Sequence, residues 1–449
     1  MKDNFILNSP LAKEIYLEIK DLPIIDYHNH LAIGDVISDR RFDSITELWI
    51  SPDPYKHRAM RILGVPERLI TGDGGAFEKF DAWCGCLREL IGNPLYDWSV
   101  MEMDTVFGID LNPEKIDTGA LFSELNEKLK NLTAKKILDK FNIEYSAPCA
   151  TVKDDISVYN SLKTFAPSLR GDDIPSPQRE LIKSLSDLTG ISIKSTSDYL
   201  RAIDKRLCDF KAVGAAYADH ALDDGFTYVN DDGKNEERFN AILSGISLSD
   251  LDKQSLYSYL LKESACLYAK HGFTMQLHVG AKRTTSDRLR AIAGPAGGYA
   301  AIGNSVSVKS LTELLNDVEK GDFGLPKTLL FTLNPADNEI MANLSGSYSK
   351  DGVMAVVSQG PAWWWCDHYK GMYDMLGSFS VHSVLSTFIG MTTDSRSLTS
   401  FVRHDYFRRV LSVFLADGAA SGRLPGDKAP LIRLAKKLSY ENAKKTVKV

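Results

Sequence analysis

The stretch Ile24-Ile25-Asp26-Tyr27-His28-Asn29-His30-Leu31 is an apolar run that ends in two histidines two residues apart. Side chains at i and i+2 of a strand point to the same face, so His28 and His30 would stand side by side as a chelating pair. Short apolar runs ending in polar or Gly/Pro residues recur at 143–151, 163–170, 210–220, 272–280, 327–334, 352–360 and 385–395, with helical patterns between them. Short β runs alternating with helices build parallel βαβ units, and eight runs, counting 22–30, predict a closed (β/α)8 barrel of the α/β class. Polar, reactive side chains at the C-terminal end of nearly every run favour the barrel over an open sheet, because that rim is where a barrel keeps its active site.

The first and second runs are separated by more than a hundred residues with helical periodicity, Gly/Pro punctuation and no convincing strand. This predicts a helical insertion at 35–134 in a barrel built from 1–34 and 135–449. The 232–262 region is also helical and lengthens the connection between the fourth and fifth strands. The 449 residues are 44% hydrophobic, enough for one large core or two medium ones. A net charge of -6, with no long Lys/Arg cluster, argues against a nucleic-acid or membrane partner and for a small molecule. The N-terminal stretch has no apolar signal region and no long uncharged apolar run occurs, so a cytoplasmic protein is expected. Its six cysteines show no C-x-x-C pairing, so neither disulfides nor a thiolate zinc site is signalled.

The chemistry gathers on a few side chains. The fifth run carries His278 in QLHVGAKR, and the eighth ends in Asp394 in MTTDSRS. With His28 and His30 they make three imidazoles and a carboxylate at strand ends, donors that suit one divalent cation such as zinc or manganese with a coordination position left open. His278 is either a ligand or a general acid/base beside an ion held by the other three. An isolated H-x-H is more often incidental than chelating. Four costly buried polar groups converging on one rim tip the balance toward a metal site. No lysine ends the fourth run, where Asp219-His220 stands, so a second, lysine-bridged ion is not expected. Arg170 and Arg396 are placed to clamp a carboxylate through their planar forks, and Tyr55 and Asp219 to grip a polyhydroxylated anion. Of the Trp363-Trp364-Trp365 triple, Trp364 is the candidate wall for a sugar ring, with core packing as the alternative.

Together DYHNHL, YKHRAMR, QLHVGAKR, LNPADNE, PAWWW and TDSRSLTSFVRHDYFRR resemble the uronate (glucuronate) isomerases, a branch of the amidohydrolase superfamily, over almost the whole chain. The resemblance implies a distorted (β/α)8 TIM barrel with a helical insertion after the first strand. The implied reaction interconverts D-glucuronate with D-fructuronate or D-galacturonate with D-tagaturonate. It assigns His28, His30 and Asp394 as metal ligands, His278 as the fifth-strand histidine, and Tyr55, Arg170, Asp219 and Arg396 as substrate-contacting or proton-transfer positions. The departures fall in loops: RTTSDRLR where the family has asparagines, ATVKDDI for its second-strand motif, Pro54 before the tyrosine, and GGYAAIGN for a segment that typically carries an aspartate.

Aldose-ketose interconversion through a cis-enediol needs a base at C2 and stabilisation of a negative oxygen. The expectation is a cation that polarises the carbonyl, with Asp394 rather than Tyr55 as the base, since an unperturbed phenol titrates near ~10. The rivals are a metal-dependent hydrolase, a lactonase or deaminase, and a silent sugar-acid binding protein. A homo-oligomer acting on a hexuronate completes the expectation.

Overall fold

The computed structural model describes residues 5–447. Its centre is a curled sheet of seven strands, each paired in parallel with the next. In order they are Ile24–Asn29, Ile143–Thr151, Ser168–Arg170, Tyr217–Leu222, Thr274–Val279, Thr328–Thr332 and Val357–Gln359. The first and fifth are buried along their whole length, as strands covered on both faces must be. Inward side chains from distant strands meet across the interior: Tyr27 stacks on Tyr217 at 5.5 Å between centroids, and Tyr145, Phe331 and Ile389 join the same cluster.

Three of the expected runs are shorter or shifted. The 163–170 run is strand only from Ser168, the 352–360 run only from Val357, and residues 210–212 end the helix Thr196–Ala212. The eighth run, 385–395, forms no ladder strand; it opens with a single 3-10 turn at Leu385–Thr387. The cause is competition from side chains. The Thr392 hydroxyl accepts from His28 N (2.9 Å) and lies 2.6 Å from both His28 O and Asp26 Oδ1, where a strand would offer backbone groups. Two backbone bonds still join this segment to the first strand, Asp394 N to His28 O (3.1 Å) and His30 N to Ser395 O (2.9 Å). The eighth position of the barrel is therefore an irregular extended segment.

Between the first and second strands the chain is helical, with no strand among the described residues. Its apolar side chains, including Trp49, Phe80, Trp83, Cys84, Cys86 and Trp98, share one core with those of helices Tyr369–His382, Val402–Ala420 and Lys428–Lys436. The long helix Asp250–His271 shows how sequence sets such elements. Ser249 caps it by accepting from Asp252 N, Asp250 and Asp252 lie at the positive end of its dipole, Lys270 and His271 at the negative end, and Gly272 (φ +68°) terminates it. No helix of the described residues is long and apolar enough to cross a membrane.

Candidate active site

At the C-terminal rim of the sheet lies a cavity of about 390 Å³. His28, His30, Tyr55, Arg170, Asp219, His278, Trp364, Asp394 and Arg396, every residue singled out from the sequence, line it. His28 and His30 leave the end of the first strand, Arg170 ends the third, Asp219 sits within the fourth and His278 near the end of the fifth.

Asp394 holds the centre. Its Oδ1 lies 3.3 Å from His28 Nε2 and 3.1 Å from His30 Nε2. Ligands bound about 2.1 Å from one ion stand roughly 3 to 3.5 Å from each other, so these three donors are spaced for a shared cation. Asp394 has φ +47°, in the left-handed region that costs a side-chain-bearing residue energy, and its backbone bond to His28 O holds it there. The His278 ring packs 4.6 Å from that of His28, and its buried Nε2 has no partner among the described residues. A buried imidazole nitrogen without a hydrogen bond fits a site that meets its partner from outside the chain. His28, Asp219 and His278 also bring donor atoms together, as do His28, His30 and Cys149. The donor set therefore suits a divalent metal ion. Cys149 Sγ, 3.7 Å from both His28 Nδ1 and Asp219 Oδ1, gave no signal in the sequence because it lacks a paired cysteine.

Burial sets the protonation of the group. It holds His278 well below the ordinary imidazole range, helped by the neighbouring His28, so His278 is neutral. Burial opposes ionisation of Asp394, but hydrogen bonds to His28 and His30 prevail and hold it well below the usual carboxylate range. Asp219 is pushed up to about 8, by burial first and the adjacent Cys149 second. Burial, then Asp367, drives the Tyr55 phenol well above its usual value.

The walls are cationic and aromatic. Arg170 Nε pairs with Asp172 (2.9 Å), and Asp172 is fixed by Ala221 N (2.7 Å). Arg396 faces the cavity with no hydrogen bond or ion pair among the described residues. Arg283, which the sequence reading did not single out, pairs with Asp223 at 2.8 Å and lies 5.7 Å over the Trp364 ring. Trp363 packs on His278 at 4.6 Å, so it belongs to the wall as well, while Trp365 turns to Tyr55. Tyr55 arrives from the inserted helices. Its helix, Pro54–Ile62, starts at the N-cap Asp53, which accepts from Tyr55 N and Lys56 N, and is anchored below by the buried pairs Lys56–Asp53 (2.7 Å) and Lys56–Glu102 (3.3 Å). Among the departures, Pro54, Gly298 and Ala300 line the cavity, and Thr284 holds Arg290 at its edge (2.8 Å). Residues 151–156 are not in its wall.

A family model described as glucuronate isomerase matches residues 1–447. The chain belongs to the uronate isomerase family. It is 35% identical to the uronate isomerase of Oceanobacillus iheyensis over 99% of this chain and 97% of that one. It is 33% identical to that of Salmonella paratyphi B over 99% and 98%. Among solved structures, the uronate isomerase of Thermotoga maritima superposes with a TM-score of 0.92 at 26% identity, covering 100% of this chain and 99% of that one. The glucuronate isomerase of Caulobacter crescentus shares the fold at a TM-score of 0.89 and 24% identity, covering 99% and 96%. The superposition on the Thermotoga maritima structure runs over the whole chain, the curled sheet and the helical segment alike.

Proposed function

We propose that this protein is a uronate isomerase that interconverts D-glucuronate with D-fructuronate and D-galacturonate with D-tagaturonate through a cis-enediol. The observation that supports it most is the close set of His28, His30 and Asp394 facing arginines across one cavity, in a chain of this family. We propose zinc, with manganese as the second choice, as the ion that His28, His30 and Asp394 hold. Such an ion, when bound, supplies Lewis-acid polarisation of a carbonyl oxygen.

The protein's own groups divide the remaining work. Arg170, whose Nη atoms have no partner among the described residues, and Arg396 bind the C6 carboxylate, since a guanidinium fork matches its two oxygens. Asp394, ionised at neutral pH, takes the proton from C2 and returns it to C1, while O1 gains a proton and O2 loses one. Tyr55 keeps its proton and acts as a hydrogen-bond donor to a substrate oxygen, not as a base. Neutral His278 and protonated Asp219 serve the same oxygens. Trp364 covers the sugar face. In this reading residues 35–134 are a helical insertion that delivers Tyr55 to a barrel of 1–34 and 135–449, and the enzyme works as a cytoplasmic homo-oligomer on a free hexuronate. Incubation with each uronate and with a sugar-acid lactone is the test. Keto-acid formation supports the reading, and lactone hydrolysis without it moves the protein to the hydrolases.

A further inference from the structure

Arg403 lies outside every role assigned so far. It sits in the first turn of the helix Val402–Ala420 and is 2% exposed. Its guanidinium lies 4.6 Å over the ring of Tyr55 and 4.2 Å over that of Trp98. Nη1 donates to Asp367 Oδ2 at 2.8 Å and to Thr393 O at 3.2 Å, and stands 3.5 Å from the Tyr55 hydroxyl. The Tyr55 hydroxyl donates to the same Asp367 oxygen at 3.3 Å. One guanidinium thus joins three segments remote in sequence: the helix bearing Tyr55, the turn after the tryptophan triple, and the irregular segment bearing Asp394.

Two physical points separate this from ordinary core packing. A buried ion pair is desolvated at a cost that apolar side chains of equal volume would avoid, so such a pair is poorly explained by stability alone. Moreover, the Thr393–Asp394 peptide is held at both ends, its carbonyl by Arg403 and its N–H by His28 O (3.1 Å), next to the residue with the unfavourable backbone. The phenol of Tyr55 is fixed likewise, its ring by the guanidinium and its oxygen by Asp367. We propose that the buried Arg403–Asp367 pair is a positioning device that holds the Tyr55 phenol at the cavity wall, where its hydroxyl can turn from Asp367 to donate to a substrate oxygen while Asp394 moves the proton. It rests on the isomerase reading above.

The test is a cycle of D367N, Y55F and D367N/Y55F, with kcat and KM for uronate isomerisation, supported by R403K and by the apolar pair R403M/D367L. A placement error of this kind lowers kcat by about 10- to 100-fold, so D367N should do so with KM little changed. In the Y55F background the same substitution should change kcat by no more than about twofold. Equal losses from D367N with and without Tyr55 overturn the proposal. The apolar pair removes both charges at similar volume, and its circular dichroism spectrum checks the fold; full turnover in it also overturns the proposal. A second readout needs no turnover: in protein labelled at tyrosine Cζ, the resonance missing from Y55F should move in both D367N and R403K, and if it stays in place the proposal fails. Absence of isomerisation by the wild type would instead remove the isomerase reading and leave the resonance to judge whether the pair sets Tyr55.

Discussion

Asp394 carries the heaviest demand of any residue, since it is spaced as a ligand between two imidazoles, ionised, and held in a backbone region that few side chains tolerate. D394N keeps the shape and removes the charge; it should lower kcat by about 10³-fold or more with the circular dichroism spectrum unchanged, and near-normal turnover would remove Asp394 from proton transfer. His57 gives a prediction about stability. Burial lowers its pKa to about 4, and neither ring nitrogen has a partner among the described residues. The folded protein therefore binds this proton less readily than the unfolded chain, whose histidine titrates near ~6.5. The stability tied to neutral His57 is complete above that value and is lost as pH falls through the folded value, a share of about 3 kcal/mol. Denaturant titrations between pH 7 and 4 should show H57F losing less stability on acidification than the wild type; equal losses would contradict the assignment. In the sequence, the H-x-H pair, His278 and Asp394 were legible because each ends an apolar run. Arg403 and Asp367 were not, because their partners lie on other segments and nothing local marks them.

The strands that carry the site were readable as elements because parallel strands buried on both faces are near-continuous apolar runs. The eighth was misread as a regular strand. Thr392 and Thr393 look like good strand residues, yet their hydroxyls bind Asp26 and His28, and Gly390 adopts φ +102° where a Cβ would meet Leu438 O at 2.6 Å. Such a choice depends on a partner more than 300 residues away. The loop over the cavity makes a further prediction. Gly298 has φ +81°, and a Cβ there would fall on the Pro54 carbonyl oxygen, while Arg58 donates to Ala300 O at 3.0 Å. G298A should push this loop off the helix that bears Tyr55, costing about 1–3 kcal/mol and raising KM for the uronate; unchanged KM and melting temperature would show that the loop tolerates displacement.

For the molecule as a whole, the family model matches residues 1–447, and the helices between the first two strands share one buried core with the C-terminal helices. A cation bound only by the folded chain stabilises it by mass action, about 2.7 kcal/mol at a hundredfold excess over Kd, so chelation should lower the melting temperature and restored zinc should raise it again. A melting temperature indifferent to chelator would argue against a tightly held ion. The most direct measurement is keto-acid formation from D-glucuronate and D-galacturonate by purified protein, before chelation, after it and after zinc is returned. The account predicts ketose from at least one of the two, its loss on chelation and its recovery with zinc. No keto acid from either acid by the zinc-loaded protein would contradict it.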